Sequence, residues 1–132
     1  MIIETNIDFE PEGFTPFEGV FHVFAEYNPN APITEDDVIG CANLRIGYGE
    51  CHIHYIEACN GNGANILNYI INKYNPEWIS GESYEDLLGF WNKMGAIYTG
   101  IDYDPGVEYD PTDLYDFEIT REDFMKTKYY TQ

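Results

Sequence analysis

The chain has 132 residues with 24 Asp and Glu against 6 Lys and Arg, a formal charge of −18. That length fits one domain with a sizeable core, and 44% hydrophobic with 17% aromatic content argues against disorder. The composition excludes a bilayer-spanning run of ~20 apolar residues, and so few cations exclude direct binding of nucleic-acid phosphates.

Met1 to Phe9 starts apolar and predicts an edge strand, whereas Glu10–Pro16 is broken by two prolines and a glycine. Gly19–Tyr27 is rich in aromatic and β-branched residues and predicts a strand, followed by a loop over Asn28–Thr34. Two further strands, Asp37–Ile46 and Glu50–Glu57, flank a hairpin turn at Gly47-Tyr48-Gly49. The period then changes. Ile66, Leu67, Ile70, Ile71 and Tyr74 form one stripe of an amphipathic helix over Gly63–Tyr74, which Asn75-Pro76 ends.

Glu77–Gly81 predicts a short strand. Ser83 then reads as the cap of a second helix, with Leu87, Leu88, Trp91 and Met94 as its apolar face and Gly95 as its stop. Ala96–Ile101 and Tyr115–Ile119 read as the last strands. The order β-β-β-β-α-β-α-β-(β) predicts a mixed α+β sheet in one domain over 1–132, with an acidic C-terminal segment at about 102–123. An odd set of three cysteines, with no leader-like start at Met1, predicts reduced thiols in a cytoplasmic protein.

The junction Ala58-Cys59-Asn60-Gly61-Asn62-Gly63-Ala64 joins a strand to a helix through Gly-x-Gly. Such a turn lets peptide N–H groups at a helix start approach an anion, and a diphosphate suits them. With Gly61, Gly63, Ile66 and Leu67 in register, the segment resembles the coenzyme A loop of the GNAT (GCN5-related N-acetyltransferase) superfamily. Phe90, Lys93, Met94 and Gly95 resemble the closing signature of the same family, and the likeness covers roughly Asp37 to Tyr98. The chain is similar to short phage and prophage members with degenerate motifs. Ala58 replaces the usual Arg or Gln, Tyr84 an Asn that contacts the pantetheine arm, and Trp91 the usual Tyr acid.

The resemblance implies a GNAT-like, mostly antiparallel sheet with two main helices and reduced or absent N-terminal helices. It implies an acetyl-CoA-dependent N-acetyltransferase, with acetyl-CoA as co-substrate held by Ala58, Cys59, Asn60, Gly61, Asn62, Gly63, Ala64 and Trp91. The acceptor is a Lys of a basic protein or another cationic amine, and a homodimer is the assembly considered.

Direct attack of an amine on a thioester needs a base, a carbonyl-polarising N–H and an acid. The N–H is expected on the fourth strand near His54–Glu57. Glu57, His52 and His54 are the base candidates. Strand alternation predicts His52 and His54 on one face, with Ile53, Tyr55 and Glu57 on the other. Tyr84, Tyr98 and Tyr103 are the acid candidates, Tyr84 foremost.

No metal is expected. Cys51-His52-x-His54 with Cys59 has neither zinc-site spacing, and Asp102–Glu108 has Val107 where a calcium loop needs glycine. From Asp102 to Asp123 there are nine carboxylates and one basic residue, Arg121. The alternative function is therefore a non-catalytic acidic protein of the same fold, an inhibitor that imitates nucleic-acid charge and blocks a basic partner.

Overall fold

The computed structural model describes residues 1–5, 20–59 and 61–132. The sequence folds into β1 (Ile2–Thr5), β2 (Val20–Glu26), β3 (Val38–Gly47), β4 (Glu50–Ala58), α1 (Gly63–Tyr74), β5 (Trp78–Ser83), α2 (Leu88–Lys93), β6 (Ile97–Tyr98), β7 (Tyr115–Thr120) and α3 (Arg121–Met125). One seven-stranded sheet runs in the order β1-β2-β3-β4-β5-β7-β6. Every neighbouring pair is antiparallel except β4 and β5, which are parallel because α1 carries the chain across between them. The mixed, mostly antiparallel α+β architecture is the one expected. Residues 6–9 of the expected first strand, the Pro-rich segment and the reading of reduced N-terminal helices lie outside the described residues.

The helix stripe holds: Ile66, Leu67 and Ile70 are fully buried and Ile71 nearly so. They meet Ala42 and Leu44 of β3, Cys51 and Ile53 of β4, Trp91 and Met94 of α2, Phe117 and Ile119 of β7, and Phe124 of α3 in one core. Asn75 ends α1 in the left-handed conformation (φ 49°), its N–H donating to the carbonyl of Ile71. The β3–β4 hairpin turns on Tyr48 (φ 53°) and Gly49 (φ 79°), so a non-glycine residue carries half of the left-handed turn. α1 lies close on the sheet at Gly40, where a Cβ would sit 2.6 Å from Ile66 Cδ1 of the helix.

Four readings need correction. Ser83 does not cap a helix: it ends β5, and its hydroxyl donates to the Tyr84 carbonyl. A 3-10 turn, Glu85–Leu87, precedes α2, and this turn leaves Leu87 47% exposed rather than on the apolar face. The strand expected over Ala96–Ile101 pairs only through Ile97 and Tyr98, because β7 offers Glu118 and Phe117 alone to it. The short α3, with Thr120 accepting from the Asp123 N–H, went unread.

The fourth correction concerns which face of β4 each side chain takes. Leu44 pairs with Ile53 and Asn43 with Tyr55, so His54 is an extra residue and forms a bulge. Beyond it the alternation flips. Ile56 stands opposite Ala42 on the helix-covered face, while Tyr55 and Glu57 stand opposite Asn43 and Cys41 on the other. His52 stands opposite Arg45 on that second face too. Glu57 therefore shares a face with His52 instead of opposing it.

Candidate functional site

The parallel ladder between β4 and β5 covers only Glu50–Ile53 against Trp78–Gly81, yet β4 continues to Ala58 and β5 to Ser83. Beyond the bulge, the β5-facing edge of β4 has no ladder partner on β5, and the sheet splits there. A cavity opens on each side of β4 at this split.

On the helix-covered side, Ile56, Glu57, Ala58, Gly61, Gly63, Leu87, Phe90 and Trp91 line a cavity of about 420 Å³. Gly61 takes φ 76° with open space around it, and the Asn62 N–H and side-chain amide both donate to the Cys59 carbonyl (3.1 and 2.8 Å). The first bond into α1 is from Ile66 N–H to the Asn62 carbonyl, 3.0 Å. The amides of Gly63, Ala64 and Asn65 thus precede the helical ladder, with no side-chain cap and no acidic residue in the first turn. Gly63 is required by packing, since a Cβ there would meet the Phe90 ring at 2.9 Å. The Gly-x-Gly pair has divided duties: one residue turns the chain, and the other admits α2.

Trp91 is 2% exposed and stacks on Phe117 with ring centroids 4.1 Å apart, while Phe90 meets it edge-on at 4.9 Å. The indole is a wall of the cavity and a core residue at once. It does not plug the opening. Of the other expected donor contacts, Ala58 is exposed on the lining, Cys59, Asn62 and Ala64 are half-buried beside it, and Asn60 lies outside the described residues.

On the opposite face, His52, Ile53, His54, Glu82, Tyr84 and Leu114 line a second cavity of about 300 Å³. The His52 and His54 rings meet edge to face at 4.7 Å, and His52 Nδ1 lies 2.8 Å from Ser80 Oγ. Three of the four residues singled out for catalysis, His52, His54 and Tyr84, are therefore brought together. Glu57 is set apart along the strand rather than by face: it borders the first cavity, while its carboxylate, on the face of Tyr55 and His52, accepts from the Tyr55 hydroxyl at 2.9 Å. Glu82 and Leu114 went unread, because only the pairing of β5 with β7 places them here. Of the other tyrosines, Tyr98 donates to the Leu88 carbonyl, and burial pushes its hydroxyl up to about 12. Tyr103 stacks between Tyr98 and Tyr109, and neither Tyr98 nor Tyr103 lines the second cavity.

The thiols differ sharply. Burial, with Glu57 and Cys59 nearby, pushes Cys41 up to about 12, and burial with Glu50 does the same to Cys51. Cys59, half-buried beside the Gly61 turn, is the accessible one. Brief alkylation of the native protein is expected to label Cys59 alone, and Cys41 and Cys51 only after unfolding, as read by peptide mass spectrometry. Among the described residues no group of three His, Cys, Asp or Glu side chains could hold a metal ion. Asp102–Glu108 is an acidic turn in which Asp104 Oδ1 accepts from the Gly106 N–H at 2.9 Å. No helix among the described residues is long and apolar enough to cross a membrane.

No family model and no curated protein matches the chain. Among solved structures, the spermidine N-acetyltransferase SpeG of Vibrio cholerae carrying a K23–Q34 chimera with hSSAT superposes with a TM-score of 0.53. It is 13% identical, over 80% of this chain and 70% of that one. The spermidine N-acetyltransferase of the same organism, in complex with CoA and spermine, gives the same score and identity over 80% and 69%. The splayed seven-stranded sheet with its glycine turn and following helix is thus the GNAT fold of these acetyltransferases.

Proposed function

We propose that the chain is an acetyl-CoA-dependent N-acetyltransferase that acts on a cationic amine. The observation that carries this reading is the open cavity of about 420 Å³ at the split of β4 and β5, against the uncapped amide end of α1. A diphosphate fits those amides, and nothing within 4 Å of Gly61 obstructs its approach. The residues present fit the donor, which supplies an activated acetyl thioester when bound. The acceptor amine enters from the other face, into the His52/His54 cavity, where Glu82 offers the carboxylate that suits an ammonium.

The chain's own groups have three tasks. His52, oriented by Ser80, takes the ammonium proton so that the amine lone pair can attack the acetyl carbon. A peptide N–H of β4 past the end of its ladder with β5 polarises the carbonyl oxygen. As the C–N bond forms and the C–S bond breaks, Tyr84, on the lining of the second cavity, protonates the departing thiolate, a role that Trp91, buried and without a phenol, does not take. The charge of −18 draws cationic acceptors to this face, a Lys of a basic protein or a polyamine alike.

Acetyl-CoA at about 100 times its Kd is expected to stabilise the fold by ~2.7 kcal/mol, a Tm rise of roughly 8–10 °C for a chain of this size. Leu87→Glu sets a carboxylate on the lining at a position already 47% exposed. It should leave the unliganded Tm unchanged and weaken donor binding about tenfold. No shift at saturation, together with salt-sensitive capture of a basic nucleic-acid-binding protein that gains no acetyl group, would replace this reading with the acidic inhibitor.

A further inference from the structure

We infer that a cationic amine in the His52/His54 cavity raises the affinity of the chain for the anionic acyl donor, so that the two sites are positively coupled. The inference rests on the acetyltransferase reading and concerns the energetics of the same site. Coenzyme A is a polyanion, yet neither cavity is lined by a Lys or Arg side chain. The acidic groups near the donor cavity are Glu57, which borders it with its carboxylate held by Tyr55, and Glu85 and Asp86, which immediately precede its Leu87 wall. Lys93 ends α2 two residues beyond Trp91, outside the lining, and Arg45 stands across the ladder from His52. The attraction available to a diphosphate is that of peptide amides, equivalent to roughly half a charge at the helix start. Against it stands the field of a protein with a formal charge of −18. Donor binding alone works uphill electrostatically.

An ammonium group in the second cavity reverses the local sign. The cavities flank one strand: Ile53 and His54 line one, Ile56 to Ala58 the other. The diphosphate sits past the end of β4, and the four residues from His54 to Ala58 alone span about 13 Å. At that distance one positive charge changes the affinity for an anion by about three- to fivefold at low ionic strength, and the effect is reciprocal. Salt gives a signature that few phosphate-binding proteins show. Without amine, added NaCl screens the repulsion and tightens donor binding; with amine bound, added NaCl removes the gain.

The test is calorimetric titration of the full chain with coenzyme A, which lacks an acetyl group and cannot turn over, with and without saturating spermine as the cationic probe. At low salt spermine should lower the coenzyme A Kd at least about three- to fivefold. Glu82→Gln should shrink that gain, and high NaCl should abolish it. Coenzyme A that binds equally or more weakly with spermine overturns the coupling while leaving the acetyltransferase reading intact. So does NaCl of matched ionic strength that reproduces the whole gain. Failure of coenzyme A to bind under any of these conditions overturns both.

Discussion

His52→Ala is expected to lower the rate of acetyl transfer by about 100- to 10,000-fold, the usual loss when a positioned general base is removed. The side chain is half-buried at the cavity wall, and among the described residues its polar contact at hydrogen-bond distance is with Ser80 Oγ at 2.8 Å, so the fold should tolerate the change. Ser80→Ala separates positioning from proton transfer. It frees the ring without removing it and should cost about tenfold in kcat with KM little changed. His54→Ala and Glu57→Gln are the internal comparisons. His54 shares the cavity, whereas the Glu57 carboxylate is engaged by Tyr55. If Glu57→Gln abolishes transfer while His52→Ala does not, the base is on the wrong residue. Steady-state rates over a range of pH, with a circular-dichroism melt of each variant, decide it.

Trp91→Ala should destabilise the protein by about 3–5 kcal/mol, the range for deleting a large aromatic side chain from a core. For a chain of this length that lowers Tm by roughly 10–20 °C. The indole is 2% exposed and sandwiches the core through Phe117 at 4.1 Å and Phe90 at 4.9 Å. Its removal also enlarges the donor cavity and unseats Phe90, whose ring is the surface against which Gly63 starts α1. Donor affinity should therefore fall along with stability. Trp91→Phe keeps a ring on Phe117 and should lose less than half as much of either. A Trp91→Ala protein that melts like wild type would show that the indole does not hold α2 to the sheet.

The legible part of the chain was the part governed by local rules. The stripe of Ile66, Leu67, Ile70 and Ile71 needs only a 3.6-residue period, and α1 ends at the pre-proline Asn75. The glycine turn was legible only in company: a bare Gly-x-Gly between a strand and a helix is a weak signal, and it was the Phe90–Gly95 signature downstream that gave it weight, with the open cavity beside it in agreement. What misled was also local. Ser83 has the chemistry of a helix cap, but six consecutive pairings with β7, from Trp78 opposite Thr120 to Ser83 opposite Tyr115, hold it in the strand. Leu87 fits the apolar stripe of a helix that starts at Ser83, and a helix that starts at Leu88 turns it outward to the cavity rim.

The sequence by itself determined the order of the strands and helices, the glycine turn at the start of α1 and the acidity of the surface. Each follows from residue type and short-range spacing. The tertiary structure alone decided which chemistry shares a cavity. One extra residue, His54, reverses the alternation of β4 and moves Glu57 to the face of His52. The pairing of β5 with β7 brings Glu82 and Leu114 to the two histidines. Both outcomes depend on register between segments tens of residues apart, and a single strand carries no record of the partner that will set it.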